Sequence, residues 1–322
     1  MELFYLTLKQ MLMMFSLIAI GFLFKKKRIL PDDADTALAK LETNLFVPAL
    51  SLYTLMTQCT VKTFVENSYI LLIGFIITTC AILISYPLSK VFVRKSNKTA
   101  KAAYKRNIYK YALTFANFGF MGNFIILGVW GEEVFFKYIL FTFFVSIFCY
   151  SWGMYILIPK DQNKGMLANL KNGLLKPPMI ALVIGIIIGL FNLKSFIPDF
   201  ILTAIDNAGK CQGPVAMVLA GIVIGSYNFK KLVTNIKVYG ASIFRLIIIP
   251  AVMMLILKLL GFNDELMTLA LICFATPLGL NTIVYPAAYG GETETGASMT
   301  MISHALAVIT IPVMYLVFIV LL

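Results

Sequence analysis

The sequence predicts an all-α membrane protein with ten transmembrane helices in two inverted five-helix repeats, in which helices four and nine are broken and cross. Three observations lead to this fold class. Of the 322 residues, 60% are hydrophobic and 13% are charged, a balance that favours a bilayer over water as the solvent. Ten apolar stretches are long enough to cross a hydrocarbon core, which takes about 20 residues. Two of these stretches, at corresponding positions of the two halves, are interrupted by polar and helix-breaking residues.

The order of basic loops predicts the orientation of the spans. The cluster Lys25–Arg28 follows the first apolar run instead of preceding it, so we interpret that run as a span and not as a cleaved signal peptide. Loops after spans one, three, five and seven are rich in Lys and Arg. The positive-inside rule places these loops in the cytoplasm and both termini outside, in a multi-pass protein of the cytoplasmic (inner) membrane. The predicted spans are 4–24, 36–57, 67–93, 107–129, 135–158, 177–193, 199–226, 236–260, 264–289 and 297–321.

The chain divides at a polar loop in its middle. Five spans lie on each side of this loop, and because five is odd the second set enters the membrane in the opposite orientation, which is the condition for an inverted repeat. Span two contains Asn44 and Pro48, and span seven contains Gln212 and Pro214 at a similar place. The predicted units are residues 1–160 as the first repeat, 161–176 as a cytoplasmic linker and 177–322 as the second repeat.

The composition excludes several other classes of protein. The net charge is +12, but the basic residues cluster in short loops between apolar runs, which indicates membrane topology and not nucleic-acid binding. The single histidine, His304, and five isolated cysteines offer no metal-ligand spacing. No catalytic motif is present, so we expect neither an enzyme nor a bound cofactor.

The first interruption lies within Phe115–Gly131, which combines two asparagines with four glycines. Irregular backbone is tolerated at membrane depth only where protein covers it or where it lines a wet cavity. An amide without partners in hydrocarbon costs on the order of a few kcal/mol, which favours a binding site over ordinary packing by small residues. The candidate residues are Asn117, Gly119, Gly122 and Asn123.

The second interruption contains Pro277, Asn281, Thr282 and Pro286. Each proline removes a backbone donor and leaves a carbonyl without its helical partner. Where two broken helices cross, the N-termini of the half-helices present unpaired N–H groups with positive partial charge, which suits a carboxylate. The alternative is a proline kink without a ligand.

Four ionisable groups in predicted spans of the second half call for interpretation. Asp206 and Lys210 lie one helical turn apart in span seven, so they can pair on one face. Lys210 is interpreted as an anion anchor or, with Asp206, as a proton-linked switch; the alternatives are a neutral structural pair and a lysine that snorkels to the interface. His304 is either a helix-packing residue or a proton carrier. Arg245 in span eight is likewise either a packing residue or a functional one, and a further interpretation is that its side chain reaches the cytoplasmic headgroups.

Several of these motifs occur together in the order that one known family shows. They are the run Asn117–Gly122, the pair Asn44 and Pro48, Pro214 ahead of Gly221 and Gly225, and Pro277, Asn281 and Thr282 followed by Tyr289. Through them, essentially the full chain resembles the auxin efflux carrier family, and its bacterial members more than the plant proteins.

The resemblance implies a fold similar to that of the NhaA antiporter and the bile-acid transporters. Relatives carry organic anions such as auxin, malate or malonate by an elevator-like motion, often as homodimers. By this analogy helices one, two, six and seven form a scaffold, and helices three to five and eight to ten move. Asn117 and the pair Asn281–Thr282 would lie at the crossing.

Two positions depart from the family pattern. Phe124 stands where relatives usually carry proline, so the first interruption is either held by Gly119, Gly122 and Asn123 alone or milder than in relatives. Lys210 stands where relatives tend to have a small residue, which indicates a substrate with more negative charge than a monocarboxylate.

We therefore predict a secondary transporter of small organic anions that works by alternating access, with the lipid bilayer as its other partner and with its coupling ion, H⁺ or Na⁺, left open. The alternative is a membrane-embedded sensor that uses the same pocket without net transport. The predicted substrate-binding residues are Asn117, Gly119, Gly122, Asn123, Lys210, Pro277, Asn281 and Thr282, supported by Asn44, Pro48, Asp206, Gln212, Pro214 and His304.

Overall fold

The computed structural model describes residues 2–93, 99–159 and 165–321. The predicted basic loop after span three and the predicted linker 161–176 lie partly outside these ranges. Within them the chain forms sixteen α-helices: α1 Glu2–Lys26, α2 Ala34–Leu41, α3 Val47–Gln58, α4 Val61–Phe92, α5 Ala100–Thr114, α6 Asn123–Phe148, α7 Met154–Leu157, α8 Met166–Leu174, α9 Pro177–Leu190, α10 Asp199–Gly225, α11 Phe229–Val233, α12 Ile236–Ile243, α13 Ile249–Leu259, α14 Asp264–Ala275, α15 Asn281–Ala288 and α16 Glu294–Tyr315.

Wider π-helical turns join several of these helices, so that some predicted spans consist of more than one element. Such turns accommodate an extra residue and are frequent at functional sites. A short 3₁₀ turn, Leu193–Phe196, follows α9. The π-helical segments are Glu42–Phe46, Phe118–Gly122, Cys149–Gly153, Phe244–Ile248 and Leu316–Leu321.

Among the described residues, six helical stretches are long and apolar enough to cross a membrane. This is fewer than the ten predicted spans, because several predicted spans are broken into shorter pieces. Spans four and five share one helical stretch, Phe118–Leu157, which bends at Gly131, where φ is +80°. The six stretches are Leu3–Lys26, Val61–Phe92, Phe118–Leu157, Asp199–Gly225, Ile236–Leu259 and Glu294–Leu321.

The remaining predicted spans are built from shorter helices. The apolar helix α9 has 14 residues. Span nine consists of α14 with 12 residues and α15 with 8, each too short to cross a core that takes about 20 residues. The division into two inverted five-helix repeats stays a prediction.

Apolar side chains cover much of the outer surface, as expected of a protein dissolved in lipid. Along α4, Leu72, Leu83 and Val91 are exposed. A water-soluble monomer rarely exposes so continuous an apolar face. The model therefore agrees with the composition: the bilayer takes the place of water around these helices.

The helices pack in two groups that meet at the interruptions. In the first group α1 lies along α10, and α3 packs against both α9 and α10. In the second, α4 packs on α5 and α6, while α16 contacts α12 and α14. The π-helical turn Phe118–Gly122 contacts α6, α10 and α14, so residues from distant parts of the sequence surround it.

Candidate functional site

The first interruption begins where α5 ends at Thr114. Phe115 takes an extended conformation, and helical geometry resumes only after Asn117, at the turn Phe118–Gly122. The Asn117 carbonyl oxygen accepts hydrogen bonds from the N–H groups of Met121 and Gly122, both at 3.0 Å. Asn117 therefore starts the π-helical turn, and the non-helical stretch is short, because the candidates Gly119, Gly122 and Asn123 all lie in helical turns.

The second interruption separates α14 from α15. Thr276 is extended, with φ −66° and ψ 155°, and Pro277 has no N–H to donate. The Gly279 carbonyl oxygen then accepts from Thr282 twice, from its N–H at 3.2 Å and from its hydroxyl at 2.9 Å. Thr282 thus supplies local hydrogen bonds at the start of α15.

The two interruptions contact each other directly. Ala116 and Leu278 form an antiparallel β-bridge, and the Asn117 N–H donates to the Pro277 carbonyl oxygen at 2.8 Å. Buried backbone groups need partners, and here each interruption supplies them for the other. Pro277 therefore contributes through its carbonyl as well as by ending a helix.

The helix α16 closes one side of this contact. The buried Leu278 N–H donates to the Ser303 hydroxyl at 3.0 Å. His304 is only 2% exposed, and its Nδ1 lies 2.7 Å from the Thr300 carbonyl oxygen. Because a carbonyl only accepts, Nδ1 is the donor, and in the neutral ring Nε2 is then the acceptor. Nε2 faces the Asn117 amide nitrogen at 3.4 Å, so His304 holds that side chain.

Asn281 joins the second interruption to the first half of the chain. Its amide nitrogen donates to the Tyr111 hydroxyl at 2.9 Å and lies 3.6 Å from the Cys149 sulfur. The Tyr111 hydroxyl is itself 3.0 Å from that sulfur. Asn281 is half-buried, so the residue lies beside this cluster without being fully enclosed.

A small cavity, here called the central cavity, adjoins the first interruption. Its volume is about 40 Å³, and Gly119 and Asn123 form part of its wall. A single water needs roughly 10–15 Å³, so the cavity has room for about three waters. The remaining polar residues of its lining were not predicted from the sequence: Ser51, Thr142, Ser146 and Tyr150. Their hydroxyl groups lie in otherwise apolar spans, which is the sequence signal that could have identified them.

Gln212 links α10 to the wall of the central cavity. This side chain is 1% exposed, and its amide nitrogen donates to the carbonyl oxygens of Phe120 at 3.2 Å and Gly119 at 3.4 Å. Its amide oxygen is buried and has no partner among the described residues. The next residue, Gly213, packs directly beneath the ring of Phe124. Phe124 thus packs on α10 at the position where relatives usually carry proline.

A larger cavity of about 470 Å³ lies between α4 and the α12–α13 region. Its lining is almost entirely apolar, with Ile77, Leu88 and Val252 among its residues. Such a lining suits hydrocarbon and offers almost no partners for an anion. Despite its size, we do not assign the polar site to it.

The structure does not bring Lys210 to the central cavity. Lys210 and Asp206 form the predicted ion pair, at 2.6 Å, but the Lys210 side chain is 65% exposed. Two residues along a helix lie roughly 200° apart around its axis, so Lys210 and Gln212 point in nearly opposite directions. A role for Lys210 in substrate binding stays a prediction.

Other predicted residues also lie apart from the cavity. Asn44 is exposed, and its amide nitrogen donates to the carbonyl oxygen of Lys40 at 2.7 Å. Pro214 is exposed on α10, whereas Pro48 lies in the first turn of α3 next to Val47, which lines the cavity. Arg245 does not reach the surface: it is fully buried and donates to the Leu113 carbonyl oxygen at 3.4 Å.

A family model described as membrane transport protein matches residues 6–315, nearly the whole chain. The chain belongs to the auxin efflux carrier family of membrane transport proteins. A comparison with curated proteins finds no match. Together with the six apolar helices, the family makes this chain a multi-pass membrane transporter. For an auxin efflux carrier family member, the paired interruptions beside a polar cavity are the region to test for substrate binding.

Proposed function

We propose that this membrane transporter is a secondary carrier of small organic anions, which binds a carboxylate in the central cavity and moves it by elevator-type alternating access. The observation that supports this proposal most directly is the chemistry of the lining. Its side chains include the Asn123 amide and the hydroxyls of Ser51, Thr142 and Ser146, all of which can donate hydrogen bonds. Among the described lining residues none is charged, so no carboxylate repels an anion there.

Backbone dipoles favour an anion at the same place. Phe118 and Gly119, at the start of the π-helical turn, both line the central cavity. The first N–H groups of a helix have no partner within it and carry positive partial charge. A carboxylate near such groups is stabilised without a fixed positive side chain. Asn117, Gly122 and the start of α15 at Asn281 support this arrangement through the contacts of the two interruptions.

The position of the central cavity supports alternating access. Val47 of α3 and Leu182 of α9 form one wall, and Ile139 and Thr142 of α6 form the other. These walls belong to the two packing groups of helices. Because the cavity has room for about three waters, a carboxylate is admitted only when the groups move apart. We propose that the group containing α4–α6 moves against the group containing α1, α3, α9 and α10.

The proposal also covers location and assembly. We place the protein in the cytoplasmic membrane with both termini outside, because the loop at Lys25–Arg28 and the other basic loops then face the cytoplasm. A homodimer, implied by the family resemblance, stays a prediction.

Flux measurements test the proposal and separate a carrier from a sensor. Purified protein is screened by thermal shift against acetate, malonate, malate and citrate, since a ligand that binds the native state raises its stability. Uptake of the same acids is then measured in proteoliposomes. A carrier is expected to show saturable uptake and counterflow, whereas binding without flux would indicate a sensor and reject the proposed transport.

The asparagines at the interruptions give a sharper test. We expect Asn117→Ala and Asn281→Ala to abolish uptake, because each removes a buried or half-buried amide from the site. Asn44→Ala is the matched control, since Asn44 is exposed and bonds only to Lys40 and Thr43; it should transport like the wild type. Thermal melting checks that all three variants fold. Normal uptake by both site variants would remove the assignment.

A further inference from the structure

We propose that Lys176 is the cationic side chain that meets the substrate anion at the entrance of the central cavity. This inference rests on the proposed function and assigns to it a residue that the sequence analysis did not select. Lys176 directly precedes α9, whose second residue, Pro178, lines the cavity. Proline is well suited to the first turn of a helix, so Pro177 and Pro178 fix the direction in which the chain leaves Lys176.

Two tyrosines place the Lys176 ammonium between the cavity and the second interruption. The Lys176 Nζ lies 4.9 Å from the ring centroid of Tyr285 and 5.9 Å from that of Tyr150. Tyr150 lines the central cavity. Tyr285 follows Asn281 by four residues on α15, so the two side chains share a face of that helix. The ammonium therefore contacts both the cavity wall and the helix that carries Asn281.

Among the residues that the structure describes, no acidic side chain pairs with Lys176. Among the described residues the ion pairs involve Lys25, Lys137 and Lys210, and none involves Lys176. Burial lowers the pKa of Lys176, an effect that the neighbouring Cys149 partly opposes. Burial removes water from an ammonium group, and contacts with aromatic rings restore only part of the lost free energy of hydration. A carboxylate bound next to the Lys176 ammonium would restore more of it, and binding of the carboxylate would be favoured for that reason.

Lys210 provides the contrast. Its ammonium already pairs with Asp206 at 2.6 Å, and the side chain is 65% exposed. An exposed and neutralised charge contributes little to binding a further anion. Two lysines of the same chain therefore differ in the property that the inference requires, so Lys210, the lysine predicted from the sequence, is the rival candidate with which Lys176 is compared.

Uptake kinetics test the assignment with four proteins: the wild type, Lys176→Gln, Lys176→Arg and Lys210→Gln. The probe is whichever of acetate, malonate, malate or citrate the wild type takes up fastest. Removing a charged partner from a hydrogen bond typically weakens binding by tenfold or more. We expect Lys176→Gln to raise KM by roughly tenfold with kcat retained, Lys176→Arg to restore KM, and Lys210→Gln to raise KM clearly less than Lys176→Gln does.

Each outcome bears on a different claim. If the wild type transports the probe and Lys176→Gln keeps its KM, the Lys176 assignment is wrong while the proposed function stands. A fall in kcat alone, or an equal effect of Lys210→Gln, would also overturn it. If the wild type takes up none of the four acids, the proposed function fails, and the Lys176 inference fails with it.

Discussion

At the scale of single residues, two glycines of the first interruption differ in the space beside their Cα atoms. Gly119 and Gly122 are three residues apart on the same π-helical turn, but their surroundings differ. A Cβ added to Gly119 would meet no atom within 4 Å, because that position opens on the central cavity. A Cβ added to Gly122 would lie 2.2 Å from the Tyr138 hydroxyl oxygen, which donates to the Phe118 carbonyl oxygen at 3.1 Å.

This difference predicts opposite effects for two alanine substitutions. Gly119→Ala should leave the melting temperature nearly unchanged and reduce uptake, because the new methyl group occupies space that we assign to substrate. Gly122→Ala should lower the free energy of unfolding by about 1–3 kcal/mol, the usual cost of overpacking, because the buried Tyr138 ring must move. Thermal melting and proteoliposome uptake measure the two effects. Full uptake by a folded Gly119→Ala protein would show that substrate does not pass this wall.

At the scale of secondary-structure elements, the interruptions are stable because their backbone groups find hydrogen-bond partners in each other and in a third element, the helix α16. The β-bridge at Ala116 and Leu278 pairs some of the backbone groups, and α16 supplies Ser303 to the Leu278 N–H. Without such partners a buried backbone donor is costly in a bilayer. The half-helices α5, α14 and α15 therefore depend on contacts made far along the chain and would not hold this geometry alone.

The role of α16 gives a prediction about stability. Ser303→Ala leaves the Leu278 N–H without its partner, so we expect the free energy of unfolding to fall by about 1–3 kcal/mol. Ser242→Ala is the matched control, because the Ser242 hydroxyl is buried and has no hydrogen-bond partner among the described residues. Its removal should be neutral or slightly stabilising. Equal loss in both variants, measured by denaturant unfolding in detergent, would contradict the proposed support from α16.

At the scale of the whole molecule, charge decides how the chain lies in the membrane. The last turn of α1 and the residues that follow it carry Lys25–Arg28, whereas the loop between α3 and α4 is short and is followed by the single Lys62. Lys27 and Lys62 are both exposed. The orientation therefore rests on the distribution of Lys and Arg and is independent of the details of the site.

Labelling of single cysteines in a cysteine-free background tests this orientation. In intact cells a membrane-impermeant maleimide should label Lys62→Cys and spare Lys27→Cys, because the positive-inside rule puts Lys27 in the cytoplasm. After permeabilisation both should react, which controls for access to the thiols. The reverse pattern in intact cells would invert the proposed topology without affecting the cavity.

Much of the architecture was predictable because it follows from local composition. The apolar runs predicted where helices lie, and the combination of asparagine, glycine and proline predicted where two of them break. The pairing of Asp206 with Lys210 followed from their spacing on one helix. Membership of the family was also predictable from the sequence, because the motifs span nearly the full chain and the family model matches residues 6–315.

Other features depended on contacts between distant segments, which periodicity does not report. Asn281 meets Tyr111, 170 residues away, and Asn117 meets His304, 187 residues away. The sequence analysis selected Lys210 from its place in span seven. The position of Lys176 near Tyr150 and Tyr285 depends on packing between separate helices, which a single span does not report.

The sequence by itself determined that this protein is a membrane transporter with two interrupted helices, since the cost of placing polar and helix-breaking residues in hydrocarbon depends on the residues alone. Only the tertiary structure decided which polar groups share the central cavity and which lysine lies between Tyr150 and Tyr285 without an acidic partner among the described residues. The physical reason is that the partners of a side chain depend on how its helix is oriented relative to neighbouring helices. That orientation is fixed by packing across the whole molecule.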